Sequence, residues 1–323
     1  MKLSSLLFAV LAGAAGGASA QAYPVRPITL IVPFAPGGGI DSSARIQAQA
    51  MGELLGQPIV VENMGAAAGT VGSLRVAKAE PDGYIMLMAN SGTHAYSQWI
   101  YSKRPYDASA DFTPVGLVSE SPRILVARKD LPVSGLQEFI AYVKANQAKM
   151  QFGSAGVGSG THLPCALLNH MLGVEPTHIP YRGAGPAMQD LIAGRIDYMC
   201  DTIQTGAIQA KSGKVKGIAV MATKRSPSIP DLATTGEQGL AGAEVSVWNA
   251  FFLPKGAPAP VVRRLNKAMS DMLDSPPIRK RLEDLGLEIV APERRSPEYL
   301  ARFLAEEIQR WGAVIRAARI KAD

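Results

Sequence analysis

The sequence predicts an α/β protein built from two lobes. Short apolar runs rich in β-branched residues alternate with helical segments along the 323 residues, which is the pattern of sheets flanked by helices. The alternation starts again near residue 123, and a chain of this length usually forms two domains. Hydrophobic residues make up 47% of the chain, so a conventional core can stabilise it without metal or disulfide staples.

The first twenty residues have the composition of a secretory signal peptide. Lys2 supplies the positive start, Leu6 to Ala12 is an apolar run, and Ala18-Ser19-Ala20 is a small-residue cleavage site. A membrane anchor would need about 20 apolar residues, and the stretch from Gly13 to Ala20 is mostly glycine and alanine. We therefore predict export and cleavage after Ala20.

The charge pattern argues against nucleic acid as a partner. Loss of Lys2 lowers the formal net charge from +6 to +5, and the basic residues are scattered. The densest basic run, residues 279–281, is followed at once by Glu283 and Asp284. Nucleic-acid binding favours a one-signed stripe with stacking aromatic residues, whereas a mild positive excess favours long-range attraction of anions.

Glycine and proline divide the first lobe into its elements. Ile28–Val32 is predicted as a strand, and a helix follows from Asp41 to Leu55, with Gly56 as its C-terminal cap. Pro81-Asp82-Gly83 is a turn. The other predicted elements are a strand over 58–62, a helix over 70–79, a strand over 84–89 and a further unit that ends near Pro105.

The second lobe begins after Arg123, and the chain then returns to helices. Ser134 is predicted to cap a helix that runs through Asn146, and a glycine-rich loop covers residues 153–160. The predicted strands are 124–127, 151–154, 178–181, 196–200, 215–221 and 245–253, and the predicted helices are 161–172, 186–193, 260–273, 277–285 and 297–318. The last helix carries an apolar face that we interpret as core packing, formed by Leu300, Phe303, Leu304, Ile308, Trp311 and Ile315.

Two glycine-rich loops, one in each lobe, join a strand to a helix. The first runs from Pro33 to Asp41 and the second from Ser154 to His162. Both expose backbone N–H groups at a helix N-terminus, where anions bind. Asp41 is interpreted first as a helix cap and second as a ligand contact. Neither loop contains arginine or lysine, so we expect them to hold a carboxylate from both sides mainly through main-chain N–H groups and water rather than through an arginine fork.

Catalytic and metal-binding motifs are not found. The chain has no Gly-x-Ser-x-Gly elbow, no HExxH, no nucleotide-binding glycine motif and no zinc-finger spacing. We interpret His162 and His170 as capping or packing groups, and expect no enzyme activity, no metal and no cofactor. Two cysteines in an exported chain favour one structural disulfide between Cys165 and Cys200.

A series of motifs follows in order along the chain. Those of the first lobe are Tyr23-Pro24-x-Arg26-Pro27-Ile28, Pro33-Phe34-Ala35-Pro36-Gly37-Gly38-x-x-Asp41, Leu55-Gly56-Gln57-Pro58 and Pro81-Asp82-Gly83-Tyr84. Those further along are Gly160-Thr161-His162-Leu163, Pro180-Tyr181-Arg182-Gly183, Pro186-Ala187-x-x-Asp190-Leu191 and Pro254-x-Gly256-x-Pro258-x-Pro260. Together they resemble the solute receptors of tripartite tricarboxylate transporters, the Bug family.

The resemblance implies a two-lobed periplasmic-binding-protein fold of type II, a flytrap in which each lobe is a mixed sheet flanked by helices. One domain would comprise residues 23–123 plus 245–323, and the other residues 124–244. The protein would bind a small organic carboxylate in the periplasm, need no cofactor, and deliver the ligand to the integral-membrane subunits of a tripartite transporter. We expect a monomer.

The resemblance also implies a set of ligand-binding residues. Carried over by motif, they are Phe34, Gly37, Gly38, Gly39 and Asp41 in one lobe and Ser154, Gly158, Ser159, Thr161 and His162 in the other. Loop position adds Asn90, Ser91, Thr93, Tyr181 and Asp201 for the far end of the ligand. Asn63-Met64-Gly65-Ala66 departs from the Asn-x-Pro-Gly segment of the family, and Ile85 stands where threonine is usual; the first change can alter the rim of the cleft.

Two alternatives remain open at this point. The first is an enzyme, a hydrolase or dehydrogenase on the same α/β scaffold, which would need a nucleophile, a metal set or a nucleotide motif. The second is a carboxylate sensor that signals to a kinase ectodomain instead of supplying a transporter.

The leader generates a prediction about the mature chain. Because signal peptidase cuts after a small-residue site, the exported protein should begin at Gln21. The intact mass of protein isolated from the periplasmic fraction measures this directly, and a mass that retains residues 1–20 would contradict it.

Overall fold

The computed structural model describes residues 23–317 and 320–321. The predicted signal peptide and its cleavage site lie outside these residues. Among the described residues, no helix is both long enough and apolar enough to span a bilayer.

Strands and helices alternate along most of the described chain. The strands are β1 Ile28–Val32, β2 Ile59–Asn63, β3 Ile85–Asn90, β4 Phe112–Arg128, β5 Gln151–Ser154, β6 Thr177–Pro180, β7 Tyr198–Thr202, β8 Val215–Met221, β9 Ser246–Pro254 and β10 Glu288–Ile289. The helices are α1 Gly39–Leu55, α2 Thr70–Ala77, α3 Ser97–Ile100, α4 Leu136–Asn146, α5 His162–Leu172, α6 Ala184–Ile192, α7 Ile203–Lys211, α8 Ala259–Asp274, α9 Pro276–Asp284 and α10 Pro297–Ala317. A π-helical turn, Gly92–Tyr96, precedes α3.

The strands form one curled mixed sheet with two halves. In the first lobe, β2, β1 and β3 are parallel, β9 is antiparallel to β3, and the first part of β4 is antiparallel to β9. In the second lobe, the last part of β4 pairs antiparallel with β7 and β8, and β5 and β6 extend the sheet in parallel. The predicted two-lobed α/β fold is confirmed.

The predicted strand over 124–127 is only the end of β4, which has 17 residues and serves both lobes. Pro114, Gly116 and Pro122 are residues that weaken a strand pattern in sequence. In the structure, the pairing with β9 shifts register between Pro114 and Gly116, and Pro122 is the last residue paired with β9. Prolines at a bulge and at the end of a ladder do not interrupt the strand.

The sequence analysis also missed α7, which begins directly after β7. Gly206 lies inside this helix, and an internal glycine lowers intrinsic helix propensity. A side chain at this position would collide with Ile124 of β4. Glycine therefore allows α7 to pack closely on the sheet, and tertiary packing outweighs the local propensity.

The apolar face predicted for the last helix packs on the first lobe. Leu300, Leu304, Trp311 and Ile315 are buried there. Glu307, on the same face, accepts hydrogen bonds from the indole N–H groups of Trp248 in β9 and Trp311, both at 3.0 Å. One buried carboxylate thus fixes α10 against the strand that returns from the second lobe.

The predicted disulfide is confirmed. Cys165 of α5 and Cys200 of β7 are bonded, with their Cα atoms 5.4 Å apart, and both side chains are fully buried. The bond joins the helix that follows the second glycine-rich loop to the central sheet.

Removal of this disulfide should destabilise the second lobe. The bridge spans a sequence separation of 35 residues, and a loop of this length restricts the unfolded chain by about 3–4 kcal/mol in the entropic model. We expect the C165S/C200S double variant to lose about this much unfolding free energy in denaturant titrations. Two free thiols on denatured, unreduced wild-type protein would contradict the assignment.

Candidate functional site

A small cavity of about 30 Å³ lies where the two lobes meet. Loops after β1 and β5, the middle of β4 and the beginning of α7 form its walls. Its lining residues are Phe34, Gly38, Gly39, Ile40, Asn90, Ser121, Arg123, Ala155, Gly160, Thr161, Ala184, Thr202, Gln204 and Asn249. The two glycine-rich loops therefore face each other across one cavity.

The first loop presents the N-terminus of α1 to the cavity. Gly38 has an extended backbone and precedes the helix, and Gly39 and Ile40 form its first turn beside the cavity. The first N–H groups of a helix have no partner within the helix, and they lie at the positive end of its dipole. Gly37, with φ +85°, makes the turn that aims these groups at the cavity.

Asp41 stabilises this loop from behind. Its carboxylate accepts hydrogen bonds from the Gly37 N–H at 3.0 Å and from Asn63 Nδ2 at 2.9 Å, and it pairs with Arg45 at 3.0 Å. Burial by itself would raise the pKa of Asp41, but these hydrogen bonds outweigh it and lower the pKa. Asp41 does not line the cavity. It lies in the first turn of α1, whose N-cap is Gly38 without a side-chain cap hydrogen bond, so the predicted capping role is wrong and Asp41 instead fixes the turn at Gly37.

Hydrogen bonds within the second loop fix its shape. The Thr161 hydroxyl accepts the Ala155 N–H at 2.8 Å, and His162 Nδ1 accepts the Gly158 N–H at 3.0 Å. The latter bond requires the proton of a neutral His162 ring to be on Nε2. The Ser154 hydroxyl bonds His178 Nε2 at 2.6 Å. These contacts set the loop geometry.

Three histidines near the site are neutral; His94 and His162 are buried and His178 is half-buried. His162 and His178 stack with ring centroids 4.1 Å apart, and burial lowers their pKa values to about 3 and about 4. His94 lies against Phe112 and Phe252, and burial lowers its pKa to about 3. At neutral pH they are packing groups without charge.

The residues predicted for the far end of the ligand occupy different positions. Asn90 lines the cavity, and its Oδ1 accepts the Thr93 N–H at 3.1 Å. The Ser91 hydroxyl accepts the Trp248 N–H at 3.1 Å, which connects β3 to β9. Tyr181 lies outside the cavity at the cleft mouth and donates to Asp190 Oδ2 at 2.8 Å.

The structure thus divides the predicted residues into two groups. Those that line the cavity are Phe34, Gly38, Gly39, Asn90 and Thr161. Those that support its walls or mouth are Gly37, Asp41, Ser91, Thr93, Ser154, Gly158, Ser159, His162, Tyr181 and Asp201.

Arg123 is the functional candidate that the sequence analysis missed. It lines the cavity and is only 3% exposed, and its Nε and Nη1 have no hydrogen-bond partner. Burial lowers the pKa of Arg123 to about 10, so the guanidinium is protonated at neutral pH. The expectation that main-chain N–H groups bind the ligand was based on the two glycine-rich loops alone. The pairing of β4 places the Arg123 guanidinium at the same cavity. The feature of the sequence that could have pointed to Arg123 is its position where the alternation of strands and helices starts again.

Backbone groups of the two lobes touch directly beside the cavity. The Ala35 N–H of the first lobe donates to the Arg182 carbonyl of the second at 3.2 Å. A Cβ atom on Gly185 would lie 2.7 Å from the Pro36 carbonyl oxygen, and one on Gly65 would lie 2.5 Å from the Arg182 carbonyl oxygen. The structure therefore represents a closed arrangement of the lobes.

The family described as tripartite tricarboxylate transporter family receptor, TctC, matches residues 43–320. The chain belongs to this family. It is accordingly a periplasmic solute-binding receptor, which confirms the resemblance seen in the motifs and excludes the enzyme alternative.

Individual relatives cover nearly the whole chain. A UPF0065 protein from the TAR-I ttuE–ttuC′ intergenic region of Agrobacterium vitis is 40% identical over 298 residues, or 92% of this chain and 86% of the relative. The periplasmic binding protein BugD has a TM-score of 0.90 at 39% identity, covering 93% of this chain and 99% of BugD. MatC from Rhodopseudomonas palustris, solved with bound malate, has a TM-score of 0.87 at 43% identity, covering 91% of this chain and 100% of MatC.

The neutral histidines predict sensitivity to acid. The unfolded chain takes up these protons near pH 6.5, whereas the folded chain binds them only near pH 3–4. Unfolding free energy should therefore fall as the pH drops below 6.5, by up to about 1.4 kcal/mol per pH unit for each histidine. Asp201 acts in the opposite direction between pH 3.8 and 6, because burial raises its folded pKa to about 6.

Urea unfolding of H94L between about pH 7 and pH 5 tests the direction in which the unfolding free energy changes with pH. The variant should have a shallower pH dependence than the wild type, because one of these protonation sites is gone. Y106F is a matched control, since Tyr106 lies in the same aromatic cluster and does not titrate in this range. Equal slopes for H94L and the wild type would refute the assignment.

Proposed function

We propose that this receptor captures a small organic carboxylate in the cavity between its lobes and delivers it to the integral-membrane subunits of a tripartite transporter. The observation that carries the proposal is the convergence of both glycine-rich loops on one cavity that is also lined by a buried guanidinium. The malate bound to MatC, at 43% identity, supports a carboxylate ligand.

The chemistry of the site is binding without bond rearrangement. One carboxylate would accept hydrogen bonds from the N–H groups at the beginning of α1, around Gly39 and Ile40, in the positive field of the helix. On the opposite wall, Gly160 and Thr161 of the second loop complete the enclosure. Exclusion of bulk water by both lobes strengthens each of these electrostatic contacts.

The strand pairing supports a domain division at Arg123 and Val245. The last pair between β4 and β9 is Pro122 with Ser246, and β4 pairs with β7 and β8 from Arg123 onward. We therefore place residues 23–123 plus 245–323 in one domain and residues 124–244 in the other. The chain thus passes between the two domains twice, at Arg123 and at Val245. These two adjacent crossings form a hinge about which the lobes can close.

Closure would couple binding to transport. A ligand that contacts both lobes stabilises the closed form by its higher affinity for that form, and the membrane subunits would recognise this shape. We further propose that the receptor begins at Gln21 after export and acts as a monomer.

A thermal-shift screen with mono-, di- and tricarboxylates tests the proposal. At a hundredfold excess over Kd, a ligand stabilises the folded state by about 2.7 kcal/mol. We expect at least one carboxylate to raise the Tm and to reduce the radius of gyration in solution scattering. If no carboxylate changes either quantity, the proposal is wrong.

G185A provides the structural test of closure. Gly185 lies in the first turn of α6, and its Cβ would lie 2.7 Å from the Pro36 carbonyl oxygen of the opposite lobe, so the closed form is disfavoured. A penalty of about 1.4 kcal/mol on the closed form weakens binding about tenfold. G236A is the matched control, because a Cβ there has no neighbour closer than 3.5 Å. Wild-type affinity and scattering in G185A would contradict closure.

A further inference from the structure

Arg123 is a buried cation that lacks a protein partner. Its backbone is fixed by β4, with the N–H donating to the Val245 carbonyl at 3.2 Å. Its side chain faces the cavity, and Nη2 packs 3.6 Å from the position of a Cβ on Gly160. Nε and Nη1 donate no hydrogen bond to any described residue. A buried charge in this state is costly, so the arrangement requires an explanation.

The groups around Arg123 do not neutralise it by direct contact. Among the described residues, no carboxylate forms an ion pair with it. Asp201 attracts it at longer range, but Asp201 Oδ2 accepts the Thr205 hydroxyl and Oδ1 has no partner. Tyr96 is also near, and burial raises the pKa of its hydroxyl, so it stays protonated and supplies no counter-charge.

The rest of the cavity wall near Arg123 is polar and uncharged. Gln204 Oε1 accepts the Ser121 hydroxyl at 3.0 Å, and no described hydrogen bond uses its amide nitrogen. Asn90 also reaches the cavity. The side-chain amides of Gln204 and Asn90 are hydrogen-bond donors in the cavity in addition to the Arg123 guanidinium. The N-terminus of α1 forms a separate set of donors in the same cavity, so the site has two places that attract negative charge.

We propose that Arg123 binds the second carboxylate of a short dicarboxylate whose first carboxylate lies at the N-terminus of α1. This inference rests on the proposed function and defines its substrate class. Nε and Nη1 of the guanidinium are both unpartnered, and Nη2 lies beside Gly160 at the cavity wall. Nη2 forms a fork of parallel N–H donors with either of its two neighbours, and such a fork matches the two oxygens of a carboxylate.

Size and charge balance both favour a short dianion. The free space in this closed arrangement is only about 30 Å³, so the lobes must separate slightly to admit a ligand, and a short dianion requires the least separation. A monocarboxylate would occupy the amide site and leave the guanidinium buried without an anion. Arg123 therefore weakens the binding of monocarboxylates and strengthens the binding of dicarboxylates.

Calorimetric titration with succinate and with its half-amide, succinamate, tests the assignment. The two molecules have the same shape and differ by one negative charge. The wild type should bind succinate at least tenfold more tightly than succinamate. R123Q should weaken succinate binding at least tenfold and change succinamate binding less than threefold, whereas R123K should retain part of the preference for succinate.

R263Q is the matched control, because it removes the same charge from an exposed position on α8. It should bind both ligands as the wild type does. If neither these ligands nor any carboxylate in the screen binds the wild type, the proposed function fails. If carboxylates bind but succinamate equals succinate, or R123Q keeps the preference, the role of Arg123 is overturned and the receptor function stands. If R123Q does not fold, the wild-type comparison and R123K still decide the matter.

Discussion

The passage of β4 from one lobe to the other is the constraint on which the site depends. At Pro122 the strand leaves β9, and at Arg123 it begins to pair with β7 and β8. The hydrogen bond from the Arg123 N–H to the Val245 carbonyl joins this crossing to the returning chain. Because both crossings lie side by side, the loops of both lobes meet over the same stretch of β4.

The two lobes touch through close backbone contacts and through apolar side chains such as Phe34, which packs against the core of the second lobe. Gly65 and Gly185 permit carbonyl groups of the opposite lobe to approach within the space that a Cβ would occupy. These close backbone contacts help to exclude water from the cleft.

Three buried ionic groups near the site differ in how completely they are hydrogen-bonded. Asp41 has donors from Gly37, Asn63 and Arg45 and serves the fold. Arg123 and Asp201 each retain polar atoms without partners. Structural charges in proteins are normally satisfied internally, so the unpartnered donors of Arg123, which lines the cavity, support the proposal that a ligand contributes the missing interactions there.

The sequence by itself determined the two-lobed α/β fold, the disulfide, the family and both glycine-rich loops, because these depend on periodicity, local turn chemistry and ordered motifs. It did not determine α7, whose Gly206 is stabilised by packing on Ile124, or the full length of β4, whose prolines are accommodated by pairing with β9. Nor did it separate cavity-lining residues such as Thr161 from supporting ones such as His162 in the same loop. Only the tertiary structure decided that Arg123 faces the ligand cavity, since its surroundings are created by strands and loops far apart in the chain.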